Sequence, residues 1–137
     1  MLVETMKKYR DKSKYDLSCS ETILYAANEA YHLDLDEKTF KAIAPFSGGM
    51  WIEDVCGAIT GSLAVLGILF TNNVAHESDH LKELTLEFFE KFETKMSSRN
   101  CTKLKEMYRT EEEGCNKVIY AAGEILDEIV TRELKIK

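Results

Sequence analysis

The chain has 137 residues, the size of one domain with a single hydrophobic core. Its 24 acidic residues outnumber its 18 basic residues, so the formal net charge is -6. Proteins that bind nucleic acid present clustered positive charge, and this composition argues against that class. We therefore expect a single domain over residues 1–137 with no nucleic-acid partner.

The sequence argues against a membrane span. The longest uncharged stretch covers residues 55–76, but its apolar part, residues 57–70, has only 14 residues, and a bilayer-spanning helix needs about 20. Glu4 stands early, and no long apolar run follows the first charges, so we predict no signal peptide. These features predict a cytoplasmic protein without a membrane partner.

Apolar residues recur at spacings of three and four along most of the chain, and no stretch alternates as a strand does. This pattern predicts an all-α fold, a single bundle of about five to six helices. Residues 2–15 form a weakly amphipathic helix or arm. Ser18 and Glu21 make a capping box, S-C-S-E, which predicts a helix over residues 19–32. Asp34 or Asp36 then caps a short helix that ends near Pro45.

The central helix is predicted over residues 57–70. It carries no charge, and Thr60 and Ser62 are its only polar side chains, so other helices should enclose it. Gly57 and Gly61 lie four residues apart on one face, where the missing Cβ atoms let another backbone or a bound group approach closely. Gly57 and Gly61 are therefore candidate cofactor-binding residues, with helix packing as the simpler alternative.

Three helices are predicted after the central one. A long charged helix begins at Glu77, Ser78 or Asp79 and ends near residues 97–100. Asn100 can cap a short helix after it. The string T-E-E-E at residues 110–113 is a second capping box, and it predicts the start of a strongly amphipathic last helix.

The four cysteines occupy equivalent positions in their predicted helices. Cys19, Cys56, Cys101 and Cys115 each fall near the start of a predicted helix, on its apolar side. Unpaired backbone N–H groups there carry partial positive charge and favour the thiolate, the nucleophilic and metal-binding form of cysteine. If the helices alternate in direction with short connections, these starts meet at one end of the bundle. The alternative is four inert cysteines that fill the core of a helical interaction module.

These residues resemble the bacterial and archaeal family of redox-active proteins named for its cysteine pattern, C_GCAxxG_C_C. The resemblance rests on C-S-E-T-I-L from Cys19, on C-G-A-I-T-G from Cys56, on Cys101, and on C-N-K-V-I from Cys115. The central element reads Cys-Gly-Ala where the family label has Gly-Cys-Ala. The family implies a small helical protein with redox chemistry of no defined reaction. A similar segment in split-Soret cytochromes implies an iron–sulfur cluster as one form of that chemistry, and covalent haem is not expected because C-x-x-C-H is absent.

Two roles for the cysteines follow from this resemblance and stay open at this point. In the thiol form, Cys56 is the reactive residue, and another cysteine, first of all Cys19, resolves it as a reversible disulfide. In the metal form, all four thiolates of Cys19, Cys56, Cys101 and Cys115 hold an iron–sulfur cluster or zinc. Either form needs a redox partner protein that the sequence does not identify. A homodimer is compatible with so apolar a bundle.

Two further motifs are weaker. The string H-E-S-D-H at residues 76–80 matches the zinc-protease pattern H-E-x-x-H, but it straddles a predicted helix start and no third ligand follows. We therefore expect a solvated helix start there. Met50 and Trp51 precede the central helix and could cover the cysteines, although ordinary core packing is the stronger expectation.

Overall fold

The computed structural model describes residues 2–136, and these form seven α-helices and no strand beyond two isolated bridges. The predicted all-α class is confirmed. The predicted five to six helices were slightly too few, because the N-terminal segment, expected as a helix or an arm, forms a helix of its own. The helices are α1 (Leu2–Tyr9), α2 (Cys19–Tyr31), α3 (Glu37–Ile43), α4 (Gly57–Phe70), α5 (Asp79–Met96), α6 (Cys101–Tyr108) and α7 (Asn116–Ile136).

The apolar helix α4 is central to the bundle and packs against α2, α5 and α7. Its two side-chain hydroxyls bond to its own backbone: Ser62 donates to the carbonyl of Ala58 at 2.7 Å, and Thr60 to that of Gly57 at 3.2 Å. The first part of α4 is enclosed as predicted. Its last turns are not, since Ile68 is 40% exposed.

Local capping signals set several helix starts. Both bonds of the predicted capping box form between Ser18 and Glu21, and α2 begins at Cys19. The Asn100 side chain accepts a hydrogen bond from a backbone N–H of α6 and caps that helix. Of the two candidate caps for α3, the structure uses Asp36. These starts confirm the prediction.

The predicted start of the last helix is wrong. Thr110 accepts a bond from the Glu113 backbone N–H, as in a capping box, but no helix follows. Instead, Thr110 and Gly114 exchange two backbone hydrogen bonds, at 3.2 and 2.8 Å, and close a turn. Gly114 has a φ of +57°, which a residue without Cβ adopts readily. The chain therefore enters α7 only at Asn116, directly after Cys115.

The N-terminal segment is shorter as a helix than predicted, but it belongs to the core. Helix α1 ends at Tyr9, and turns follow it. Leu2 and Met6 are fully buried where α1 packs against α2 and α7. No described helix has both the length and the apolar character that a bilayer crossing requires.

Ion pairs join the outer faces of α5 and α7. Arg132 binds both carboxylate oxygens of Glu87, at 2.7 and 2.8 Å, and Lys91 binds the same carboxylate at 2.8 Å. His80 of α5 contacts Glu133 of α7 at 2.6 Å. These pairs hold together the two longest helices of the bundle.

Candidate functional site

All four cysteines line one small, mostly enclosed cavity of about 40 Å³, where α2, α4, α6 and α7 begin. All four are free thiols. The predicted meeting of helix starts at one end of the bundle is therefore what the structure shows. Mostly apolar residues complete the lining: Gly48, Leu104, Lys105, Val118 and Ile119.

Each cysteine stands at the boundary between a loop and its helix. Cys19 and Cys101 are the first residues of α2 and α6, directly after the capping residues. Cys56 and Cys115 come immediately before α4 and α7, and their own carbonyl oxygens accept the first hydrogen bonds of those helices, at 3.0 Å in both cases. The sulfurs are thus carried by helix ends, whose backbone geometry is fixed.

Backbone hydrogen bonds hold Cys56 and Cys101 side by side. The Cys56 N–H donates to the carbonyl of Arg99 at 2.9 Å, and the Cys101 N–H donates to the carbonyl of Asp54. An isolated antiparallel bridge lies between these two bonds. The segment that leads into α4 is therefore tied to the segment that leads into α6.

Gly57 lets the Cys19 sulfur lie against the backbone at the start of α4, directly after Cys56. A Cβ on Gly57 would overlap the Cys19 Sγ and would lie 3.0 Å from the carbonyl oxygen of Phe46. The sulfur thus occupies the space that a side chain would take, one residue after Cys56. No other residue type leaves that space open.

Gly61 serves helix packing. A Cβ there would lie 2.8 Å from the carbonyl oxygen and 2.9 Å from the Cα of Ser20 on α2. The predicted close approach to the glycine face is therefore confirmed, and the backbone that approaches is that of α2. A cofactor-binding role for Gly57 and Gly61 stays a prediction.

The burial of the cysteines separates an inner pair from an outer pair. Cys56 and Cys101 are each only 6% exposed, whereas Cys19 and Cys115 are partly exposed. Burial raises the pKa of the Cys56 thiol to about 12, and the proximity of Cys19 adds to the shift. The expectation that helix starts favour the thiolate is therefore wrong for Cys56. The backbone N–H groups of α4 do lower its pKa, but burial outweighs them.

The surroundings of Cys115 differ from those of Cys56. Burial raises the pKa of Cys115 as well, but Arg109, Lys105 and Arg10 each oppose that rise. Lys105 likewise opposes the rise that burial causes in the pKa of Cys101. Positive charge is thus concentrated on the Cys115 side of the cavity.

The metal-bound alternative fits this geometry poorly. Thiolate sulfur is a usual ligand of zinc and of iron–sulfur clusters, so the donor chemistry suits both groups. Among residues 2–136, however, no three Cys, His, Asp or Glu side chains are grouped as ligands of one ion. The cavity of about 40 Å³ has room for roughly one to three water molecules. The four cysteines as metal ligands stay a prediction.

The two weaker motifs do not join the site. His76 lies in a short 3-10 turn and α5 begins only at Asp79, so the histidines of H-E-x-x-H do not share one helix. His80 pairs with Glu133 instead. Trp51 is 76% exposed, which overturns the expectation of core packing.

Two features of the site were not identified from the sequence. Lys105 lines the cavity and forms an ion pair with Glu53 at 3.2 Å. Gly48 also lines the cavity, at the start of a run of four residues with positive φ that includes Met50 and Trp51. Nothing in the sequence indicated that the left-handed backbone continues through Met50 and Trp51.

The fold and the site define a small helical protein whose cysteines gather at one end of the bundle. A family model described as "Putative redox-active protein (C_GCAxxG_C_C)" matches residues 17–129, which include all four cysteines. The chain therefore belongs to this family. Searches of curated proteins and of solved structures found no match.

Proposed function

We propose that this chain is a thiol-based redox protein in which Cys19 and Cys56 interconvert between two thiols and a disulfide. The observation that carries the proposal is the position of the Cys19 sulfur. It fills the space left by the missing side chain of Gly57, beside Cys56 and on a cavity that all four cysteines line. A dithiol function needs only two neighbouring sulfurs, and the shared cavity supports such a pair.

The two cysteines have different tasks in this proposal. Burial holds Cys56 in the thiol form at neutral pH, which makes it a poor first nucleophile and a suitable inner member of the pair. Cys19 is partly exposed, and it is the residue whose charge acts on each of the other three thiols. Cys19 is therefore the sulfur through which exchange with the other cysteines passes.

The reaction is a two-electron exchange. When the Cys19 and Cys56 thiols form their S–S bond, two electrons and two protons leave the pair. An acceptor disulfide takes them up, its S–S bond breaks, and it becomes two thiols. The reverse reaction reduces an oxidised partner.

The test uses protein purified without oxygen. Free thiols are counted before and after treatment with bis(2-hydroxyethyl) disulfide, and the peptides are mapped by mass spectrometry. We expect the loss of two thiols and the recovery of a linked Cys19–Cys56 peptide. Cys19→Ser and Cys56→Ser should each abolish that peptide. Cys101→Ser, which removes another buried thiol of the same cavity, should leave it in place.

Two results would overturn the proposal. Four thiols that all stay reduced under oxidant would support the inert cysteines of a helical interaction module. About one zinc ion or iron–sulfur cluster per chain, lost when any of the four cysteines becomes serine, would support the metal-bound form instead.

A further inference from the structure

An open groove of about 420 Å³ lies beside the cysteine cavity. Lys105 lines both the groove and the cavity, and Gly114 of the groove directly precedes Cys115. The turn closed by Thr110 and Gly114 forms part of its wall. The groove therefore lies next to the Cys115 side of the cavity. Its lining residues are Lys12, Lys105, Arg109, Thr110, Glu111 and Gly114.

The groove is positive although the chain as a whole carries a net charge of -6. Three of its six lining residues are cations, and Glu111 is its one acidic residue. Within residues 2–136, Lys12 and Arg109 have no carboxylate within ion-pair distance, whereas Lys105 pairs with Glu53. Two of the cations are thus available to a negatively charged ligand.

Arg10 extends this charge toward Cys115. Its guanidinium donates to Asn116 at 2.6 Å and to the carbonyl of Leu17 at 2.8 Å, which fixes its position. The Nη2 atom of Arg10 lies 3.7 Å from where a Cβ on Gly114 would be. A held positive charge therefore stands next to the residue that precedes Cys115.

We propose that this groove binds the anionic arm of a low-molecular-weight disulfide and that Cys115 is the sulfur that attacks it. The volume of the groove lies within the range of small-molecule sites, roughly 300 to 1,000 Å³. Its cations favour a ligand that carries carboxylate groups, and the adjacent Cys115 thiol can react with a ligand that contains an S–S bond. Cys115 is also partly exposed, unlike Cys56 and Cys101.

The reaction rests on the proposed function and supplies its first step. The Cys115 thiolate attacks one sulfur of R–S–S–R, the S–S bond breaks, and R–S⁻ leaves and takes up a proton. Cys19, which lines the same cavity, then attacks the Cys115 sulfur and releases the second R–S⁻. Attack of Cys56 on Cys19 moves the disulfide inward and frees Cys115. Two protein thiols have become a disulfide, and R–S–S–R has become two thiols.

The test compares two disulfide probes of opposite charge. Reduced protein is mixed with glutathione disulfide, which is anionic, or with cystamine, which is cationic, and the rate of thiol loss is measured. In the Lys12→Gln/Arg109→Gln variant we expect the glutathione disulfide rate to fall by about 10-fold. The cystamine rate should fall much less: the loss of Arg109, which opposes the rise in the pKa of Cys115, slows both probes, whereas the lost attraction affects only the anionic one. Lys103→Gln removes a similar cation from α6 outside the groove and is the matched control, for which both rates should stay unchanged.

A trapping experiment tests the attacking sulfur. With Cys19→Ser, which blocks the second step, we expect mass spectrometry to find a mixed disulfide with glutathione on Cys115. With Cys115→Ser, the reaction with glutathione disulfide should slow markedly because the attacking thiol is lost, while bis(2-hydroxyethyl) disulfide still yields the Cys19–Cys56 peptide.

Three results would refute the proposed role of the groove. They are equal glutathione disulfide rates for the wild type and the double variant, an equal loss of that rate with Lys103→Gln, or a glutathione adduct on a cysteine other than Cys115. With any of these results, the proposed function still stands if the neutral probe, bis(2-hydroxyethyl) disulfide, still forms the Cys19–Cys56 disulfide. Failure of the neutral probe would instead overturn the proposed function.

Discussion

At the scale of single residues, the glycines of α4 decide how close α2 can lie. A Cβ added to Gly61 would lie 2.8 Å from the carbonyl oxygen and 2.9 Å from the Cα of Ser20. These are backbone atoms, which cannot move aside as a flexible side chain can. Gly67, on the same helix, faces only the Thr71 hydroxyl, at 3.8 Å. The two positions therefore respond in opposite directions to the same added methyl group.

We expect Gly61→Ala to lower the free energy of unfolding by about 1 to 3 kcal/mol, because α2 and α4 must separate. Gly67→Ala should raise it by up to about 1 kcal/mol, because alanine favours the helix and meets no clash. Denaturant unfolding followed by circular dichroism measures both. A stabilising Gly61→Ala would contradict the close packing of the two helices.

The sequence predicted part of the cysteine site, but it did not predict the environment of the sulfurs. Cys19 and Cys101 were correctly placed at helix starts, because the caps at Ser18 and Asn100 depend on neighbouring residues in the chain. The raised pKa of Cys56 was not predicted, because it depends on how deeply the packed helices bury the sulfur. Sequence spacing reports where a thiol lies along its helix, but it does not report the solvent around it.

At the scale of elements, the contact between α5 and α7 depends on a charged cluster. Arg132 and Lys91 both bind the Glu87 carboxylate, and Arg132 chiefly lowers the pKa of Glu87 to about 2. The depressed pKa means that this stabilisation is complete above the unfolded value of 4.5 and is lost as the pH falls toward 2.

We therefore expect Glu87→Gln to cost about 1 kcal/mol of unfolding free energy at pH 7, a modest amount because the cluster is partly exposed. At pH 2 the variant and the wild type should differ much less. Unfolding curves at both pH values give the comparison. Glu90→Gln on the same helix is the control, because Glu90 makes no ion pair in the described part of the chain. A cost that is the same at both pH values would rule out this charge pairing.

The elements differ in how far local sequence determines them. The start of α6 was predicted because the Asn100 cap is local. The start of α7 was missed because T-E-E-E can cap a helix or open a turn. Pairing between Thr110 and Gly114 across the turn decides between the two. The left-handed run through Met50 and Trp51 was missed for a similar reason: neither residue type favours positive φ, and the ties of this segment to α6 hold it there.

At the scale of the whole molecule, the cysteines are far apart in the chain and close together in the fold. Cys19 and Cys56 belong to different helices, and the chain between them forms α3 and the turns that follow it. A disulfide between them would close a loop of nearly 40 residues, which in the chain-entropy account stabilises the folded state by about 3 to 4 kcal/mol.

We expect the oxidised protein to unfold at a higher guanidinium concentration than the reduced protein, by a shift that corresponds to this energy. Circular dichroism of both forms provides the measurement. Cys19→Ser, which can form neither the Cys19–Cys56 bond nor a Cys19–Cys115 bond, should unfold at the same midpoint with and without reductant. Equal midpoints for the two forms of the wild type would mean that no such cross-link joins α2 to the start of α4.

The position of Cys19 against Gly57 would affect the reduction potential of a Cys19–Cys56 disulfide. Folding raises the effective concentration of one thiol toward the other, so any energy by which the disulfide stabilises the fold also makes the disulfide harder to reduce. About 3 to 4 kcal/mol corresponds to a potential lower by roughly 60 to 90 mV than that of the same pair in the unfolded chain. A methyl group at residue 57 would weaken that coupling, so in the proposed Cys19–Cys56 pair the absence of a side chain at Gly57 would help to set the reduction potential.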